Sequence, residues 1–148
     1  MKNIGVSIIT VVYNNIRGIE RTIQSVLNQS YNNIEYIIID GGSTDGTLDV
    51  IKRYENRISY WISEADEGIY NAMNKGILKA HGSFLNFMNS GDTFVTSTTI
   101  ERLIERYEKG DKIIYGNILK CYDRRKERTS GIVSSHPDII DFYKNIDR

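Results

Sequence analysis

Three aspartates sit where apolar runs give way to turn-forming residues: Asp40 in I-I-I-D-G-G-S, Asp66 in E-A-D-E-G, and Asp92 in N-S-G-D. No histidine or cysteine accompanies them, which makes a poor zinc site. Oxygen ligands of this kind suit Mg2+ or Mn2+. Magnesium takes one or two carboxylates and completes its shell with water and substrate phosphate. The pattern therefore favours a nucleoside diphosphate bridged by a metal over a phosphate gripped by lysines. In such a site Asp40 could accept a hydrogen bond from the imide N–H of a base. Tyr13 could stack on the base or edge it, or simply lie as an aromatic lid on a sheet, and the small Gly42 could admit the base. The D-G-G run could equally be no more than a tight strand-to-helix connection. Other phosphate and acyl chemistries lack their motifs, since the chain has no G-x-x-x-x-G-K-S/T, no G-x-G-x-x-G and no G-x-S-x-G.

The elements that must carry these residues follow from periodicity. Val6 to Val12 and Ile34 to Ile39 are short apolar runs of the kind found in strands covered on both faces. Ile58–Ser63 and Phe84–Met88 read as further strands, with Trp61, Phe84, Phe87 and Met88 in the core, and Lys112–Tyr115 begins a fifth. Between them, helical spacing marks Arg17–Asn28, Leu48–Tyr54 with N-cap oxygens from Ser43, Thr44 and Asp45, a face of Ile69, Ala72, Met73, Gly76, Ile77 and Ala80 closed by His81-Gly82, and a helix around Ile100, Leu103, Ile104 and Tyr107. Ile118–Tyr122 and Thr129–Val133 suit a hairpin. Strands alternating with helices predict an α/β fold with a mostly parallel central sheet and helices on both faces. In such a sheet the loops after the strands share one edge, where ligands bind. The three aspartates should therefore meet around one cleft.

Composition narrows the setting. With 148 residues the chain is long enough for one domain with a real core. Nineteen basic residues balance nineteen acidic ones, which gives no support for a nucleic-acid-binding surface. The run Arg124, Arg125, Lys126, Arg128 reads as a solvated loop or hairpin tip. Cys121 is the only cysteine, so no disulfide within the chain is possible and a reducing cytosol is the expected setting. No signal peptide and no membrane-spanning run is legible. His81 and His136 read as a helix-end and a loop residue.

Four runs, in order and at suitable separations, resemble glycosyltransferase family 2: S-I-I-T-V-V-Y-N-N, I-I-I-D-G-G-S-T-D-G-T, E-A-D-E-G-I-Y-N-A-M-N-K-G-I and F-L-N-F-M-N-S-G-D-T. The second is the most specific, and the third looks like bacterial polysaccharide and O-antigen transferases. The resemblance implies a three-layer, Rossmann-like GT-A fold, a nucleotide-sugar donor, usually UDP-linked, and inversion at the anomeric carbon. Carried over by position, it assigns Thr10, Tyr13 and Asn14 to the first donor-binding segment. Asp40, Gly42 and Ser43 fall in the uracil-reading segment, and Asp66, Asn74 and Lys75 in the ribose and diphosphate segment. Ser90 and Gly91 lie beside the donor, and Asp92 matches the final, metal-holding acid of the D-x-D element. Asn74 and Lys75 would also be at home on a plain helix surface.

The chain departs from that pattern in three ways. Only Asp92 remains of two or three acids at the metal motif. Met73 stands where many members have an arginine, and Lys75 can supply charge there only as a point and not as a fork. The family also places its general base on an acceptor-binding half, which would begin about where this chain ends. Asp138, Asp141 and Asp147 match no motif for that role, so the 148 residues are expected to be a single donor-binding domain cut before that half. The expected partners are a nucleotide sugar and a glycan or lipid-linked glycan. The expected place is the cytoplasm, or the inner face of the membrane. A module that holds a nucleotide sugar without turnover is the alternative. Nucleotidylyl transfer would want a basic glycine-rich loop that residues 13–18 do not supply.

Overall fold

Every residue of V-S-I-I-T-V-V except Ser7 is β-branched, and the run forms β1 (Val6–Val12), buried along its whole length. The computed structural model describes residues 5–110 and the strand positions 118–119 and 132–133. The chain forms two compact units, Met1–Glu105 and Arg106–Arg148. The first holds a four-stranded, wholly parallel sheet made of β1, β2 (Ile34–Asp40), β3 (Tyr60–Ser63) and β4 (Phe84–Phe87) in the order β3-β2-β1-β4. The connecting helices are α1 (Ile16–Leu27), α2 (Thr47–Arg53) and α3 (Ile69–Ile77), and α4 (Thr99–Arg106) follows β4. In the second unit β5 (Ile118–Leu119) pairs antiparallel with β6 (Ile132–Val133), the pairing expected of the hairpin. Lys112–Tyr115, Cys121, the basic run, His136 and the three C-terminal aspartates lie outside the described residues.

Alternation along the strands builds two cores. Ile9, Val11, Ile37 and Ile39 pack with Ala72 of α3, with Tyr60, Ile62 and Met73 around them. Gly76 brings α3 close to the sheet, since a Cβ there would lie 2.4 Å from Ile9 Cγ2. Ile8, Tyr36 and Ile38 point to the other face and are equally buried. The order runs outward from β1 to β3 and then reverses to β4, so right-handed crossovers send α3 to the face opposite α1 and α2. The switch point falls between β1 and β4.

Several expected boundaries move, each for a local reason. Of the three expected cap residues of α2, Asp45 alone takes a helix N–H, that of Thr47 at 3.0 Å. Gly46, at φ 96°, takes the cap position without a side-chain bond. Helix α3 ends at Ile77, so His81-Gly82 does not close it, and Ile77 is exposed. A 3-10 turn at Glu55–Arg57 delays β3 to Tyr60. Phe87 is 40% exposed and not a core residue, because among the described residues α3 packs mainly on β1 and β2.

His81 serves the amino ends of the strands instead. Its backbone N–H donates to Glu35 Oε2 and its ring lies 2.7 Å from Oε1. The Ser7 hydroxyl donates to the same carboxylate and accepts from the Gly82 N–H at 2.8 Å. Burial pushes the Glu35 carboxyl up, but the bonds from Ser7 and His81 outweigh it, and the net displacement is below the ordinary 4.5. A depressed carboxyl stabilises the fold above its unfolded value and loses that contribution as pH falls through the folded one. Urea midpoints are therefore expected to drop as pH is lowered below about 4.5. Glu35→Gln should flatten that dependence, and an unchanged pH profile in the variant would show that the cluster contributes nothing to acid stability.

Candidate functional site

The four strands deliver their loops to one edge in register. Val12 pairs with Asp40 and Asp40 with Ser63. Beyond the ladders, the Gly41 N–H donates to Val12 O at 2.9 Å and the Glu64 N–H to Asp40 O at 3.0 Å. On the far side of β1, Met88 N–H donates to Ile9 O at 3.0 Å and Ser90 N–H to Val11 O at 3.2 Å. Asp66, Asp40, the Tyr13–Asn15 loop and Asp92 thus follow one another along one rim.

A cleft of about 230 Å³ opens on this rim, lined by Val11, Val12, Tyr13, Asp66, Gly68 and Ile69, with Ala72 at its base. Tyr13 is 65% exposed, free to offer a ring face to a planar ligand. Asp66 is partly buried, and its Oδ1 accepts from the Gly68 N–H at 2.9 Å, which fixes it at the start of α3. Gly41 is the glycine that matters here. A Cβ on it would lie 2.7 Å from Asp66 Oδ2, so a larger residue would displace that carboxylate, and 3.4 Å from Tyr13 Cδ2, an ordinary contact. Gly42, expected to admit the base, instead turns toward the Ala65 backbone.

Asp40 lies beneath the cleft and not on its wall. It is 0% exposed. Its Oδ2 accepts from the Ser43 N–H at 3.0 Å and the Ser63 hydroxyl at 2.6 Å, and its Oδ1 accepts from the Ser43 hydroxyl. This carboxylate ties the turn after β2 to the end of β3. Contact with a base would require Ser43 to swing away. Thr10 also lies off the cleft wall: wholly buried, it pairs with the Tyr36 hydroxyl at 3.1 Å inside the core. Lys75 has partners of its own. Its ammonium pairs with Glu64 at 2.8 Å and donates to Ala65 O, bracing the loop that carries Asp66. Asn74 is exposed on α3.

The loop after β1 is stitched to its neighbours on both sides. Among the described residues Asn14 alone of the non-glycines has positive φ, 47°. Its N–H donates to Ser43 Oγ at 2.7 Å, and its side-chain oxygen accepts from the Thr44 N–H at 2.8 Å. Asp45 accepts from Ile16 N–H at 3.0 Å and from Thr47, so one carboxylate serves the starts of both α1 and α2. The Thr47 hydroxyl foremost, with the backbone N–H groups of Ile16, Thr47 and Asp45 itself, holds its carboxyl below the ordinary range against an opposing effect of burial. Asn15 caps α1 by accepting from Gly18 N–H at 3.0 Å and turns its amide N–H to Ser90 O and Oγ.

At the far end of the rim Asp92 is exposed, and no partner for its carboxylate is found among the described residues. No group of three or more metal-ligating side chains is found there either. The turn nevertheless fits a hard cation with few protein ligands. A single carboxylate is enough when water and phosphate complete the shell. The side-chain oxygen of Asn89, three residues earlier, is buried without a hydrogen-bond partner, and the Asp92 N–H bonds back to Asn89 O at 2.9 Å. A wider groove beside α1, about 390 Å³, is a weaker candidate, because two of its amides are already engaged, Gln24 with Tyr54 and Gln29 with Ser25, Thr96 and Ile100.

Comparison with known proteins agrees with this fold. Residues 7–146 match the family model described as Glycosyl transferase family 2. An uncharacterized glycosyltransferase of Mycobacterium tuberculosis is 42% identical over 101 residues, covering 68% of this chain and 38% of that protein. A Bacillus subtilis protein named for teichuronic acid biosynthesis, TuaG, is 42% identical over 90 residues, 59% of this chain and 36% of its own length. The chain thus spans well under half of these relatives. Among solved structures, the mannosyltransferase PcManGT of Pyrobaculum calidifontis, in complex with GDP-Man and Mn2+, aligns with a TM-score of 0.66 at 20% identity over 71% of this chain and 32% of that one. TarS of Staphylococcus aureus, in complex with UDP-GlcNAc, aligns at 0.62 and 24% identity over 68% and 30%. Both likenesses are of fold. No helix among the described residues is long and apolar enough to cross a membrane.

Proposed function

Because the chain belongs to glycosyltransferase family 2 and has its GT-A fold, we propose that it holds the nucleotide-sugar donor, UDP-linked, for an inverting transfer to a bacterial glycan or lipid-linked glycan. The observation that carries this reading is the shared rim, on which a half-buried acid, an exposed aromatic and an unpartnered acid follow in order. Tyr13 offers a stacking face for the base, and Asp66, fixed by Gly68, accepts from the nucleoside. Asp92, with Asn89 behind it, faces the diphosphate and would hold Mg2+ or Mn2+. When bound, that cation supplies Lewis-acid relief of charge on the departing diphosphate.

In the transfer the acceptor hydroxyl attacks the anomeric carbon from the face opposite the diphosphate. The new C–O bond forms as the bond to phosphate breaks, and the hydroxyl proton passes to a general base. No acid among the described residues is matched to that base, and Asp138, Asp141 and Asp147 lie outside them. What the described residues do is bind and orient the donor, which is where much of the rate advantage of positioning arises.

Isothermal titration of UDP with and without Mn2+ tests the reading. Tighter binding with the metal is expected, and no UDP binding in either condition would end the proposal. Stacking on an aromatic is worth about 1–3 kcal/mol per base, so Tyr13→Ala should weaken UDP binding by roughly tenfold. An unchanged constant would remove Tyr13 from the site. Release of free sugar from UDP-GlcNAc would separate an active transferase from a module that only binds.

A further inference from the structure

Helix α1 carries none of the residues expected in the site. Its inner face carries the stripe Ile19, Thr22, Ile23, Val26, in which Thr22 is the polar member, and Thr22 is 0% exposed. Its hydroxyl donates to Asp92 O at 2.8 Å and accepts from the Gly91 N–H at 2.9 Å. The competing acceptor, Gly18 O, is farther away at 3.4 Å. One oxygen therefore grips both ends of the Gly91–Asp92 dipeptide. Gly91 sits at φ 105°, a conformation that residues with a Cβ rarely adopt. Asn15 holds Ser90 from the same helix start, and the Asp92 N–H closes the turn on Asn89 O.

We propose that Thr22 is a positioning residue for metal-assisted donor binding: its hydroxyl sets the direction in which Asp92 presents its carboxylate. This rests on the reading of Asp92 given above. The physical reason is the scarcity of protein ligands. With one carboxylate at the turn, an error in its direction has no second acid to correct it. The backbone at Asp92 is fixed by bonds to its own N–H and C=O and to the N–H of Gly91, while its side chain is left free. Such a shell around a ligand typically governs affinity by about 10–100-fold. Thr22 touches neither nucleotide nor cation in this arrangement, so its effect should appear in the metal-dependent part of binding and not in the metal-free part.

The test uses the 148-residue chain with Mn2+ and UDP as probes. Mn2+ uptake in the presence of UDP is read by electron paramagnetic resonance, and UDP binding without metal by calorimetry. Thr22→Val keeps shape and removes the hydroxyl. It is expected to weaken Mn2+ uptake by at least about tenfold and to leave metal-free UDP binding within about twofold. Thr22→Ser restores the hydroxyl and should restore uptake. Gly91→Ala strains the same turn from its other side and should likewise weaken Mn2+ uptake. Should Thr22→Val not fold, as judged by circular dichroism, the serine and Gly91→Ala pair decides the question alone. Uptake in Thr22→Val equal to the parent, or equal losses with and without metal, would overturn the proposal. A parent chain that binds UDP but takes up no Mn2+ would instead overturn the metal reading itself and the role of Thr22 with it.

Discussion

Asp92→Ala is expected to abolish the manganese-dependent part of UDP binding while leaving the fold intact. Residues that only support a metal ligand cost 10–100-fold when removed, so losing the one acid at the turn should cost about 100-fold or more in metal-dependent affinity. The side chain is exposed and has no partner among the described residues, and surface changes of that kind usually stay within about 0.5 kcal/mol of the parent. The contrast makes the experiment informative: calorimetry with Mn2+ should show a large change and thermal melting almost none. Asn89 sharpens it further. Its buried oxygen lacks a partner, and an amide oxygen is a weak ligand, so it cannot hold the cation once the carboxylate is gone. Binding of UDP with Mn2+ that is the same in parent and variant would show that the donor is held without this acid.

The architecture was legible because its signals are local and periodic. A β-branched run such as Val6–Val12 has few alternatives to a buried strand, and strands alternating with helices leave little choice beyond a parallel sheet. That topology alone carries Tyr13, Asp66 and Asp92 to one edge, with no side-chain contact needed. What stayed illegible depends on direction and reach. Thr10 and Val11 are neighbours, yet alternation turns Val11 toward the cleft and Thr10 into the core against Tyr36. Lys75 has the right charge for a diphosphate, but Glu64, eleven residues away in sequence, is its partner in space. Asn15, Ser63 and Thr22 were missed because each works through a neighbour from another segment. Thr22 did leave a trace, a hydroxyl on an otherwise apolar helical stripe, and a buried hydroxyl needs a partner. Asn15 left less, since Y-N-N is equally a plain turn signal.

Asp40 separates a structural role from a recognition role most sharply, and the structure favours the first. Its carboxylate is 0% exposed and accepts from Ser43 N–H, Ser43 Oγ and Ser63 Oγ. Hydrogen bonds to charged groups contribute about 1.5–3 kcal/mol each, and the hydroxyls can partly re-pair, so Asp40→Ala should cost roughly 2–4 kcal/mol. For a chain of this size that is a melting point lower by roughly 10 °C. Asp40→Asn keeps the shape but turns an N–H2 toward donors, so it should recover only part of the loss. The nucleotide readout then decides the role. A residue that acts by shaping the turn under Gly41 moves Tyr13 and Asp66 together, and the variants should weaken UDP, CDP and GDP alike. A base reader behaves otherwise. An asparagine in that place would lose uridine selectively and gain cytidine, whose ring nitrogen accepts where that of uracil donates. Parallel losses across the three nucleotides, alongside the drop in melting point, are the expected result. A selective exchange of UDP for CDP would mean that Ser43 does give way and that Asp40 meets the base.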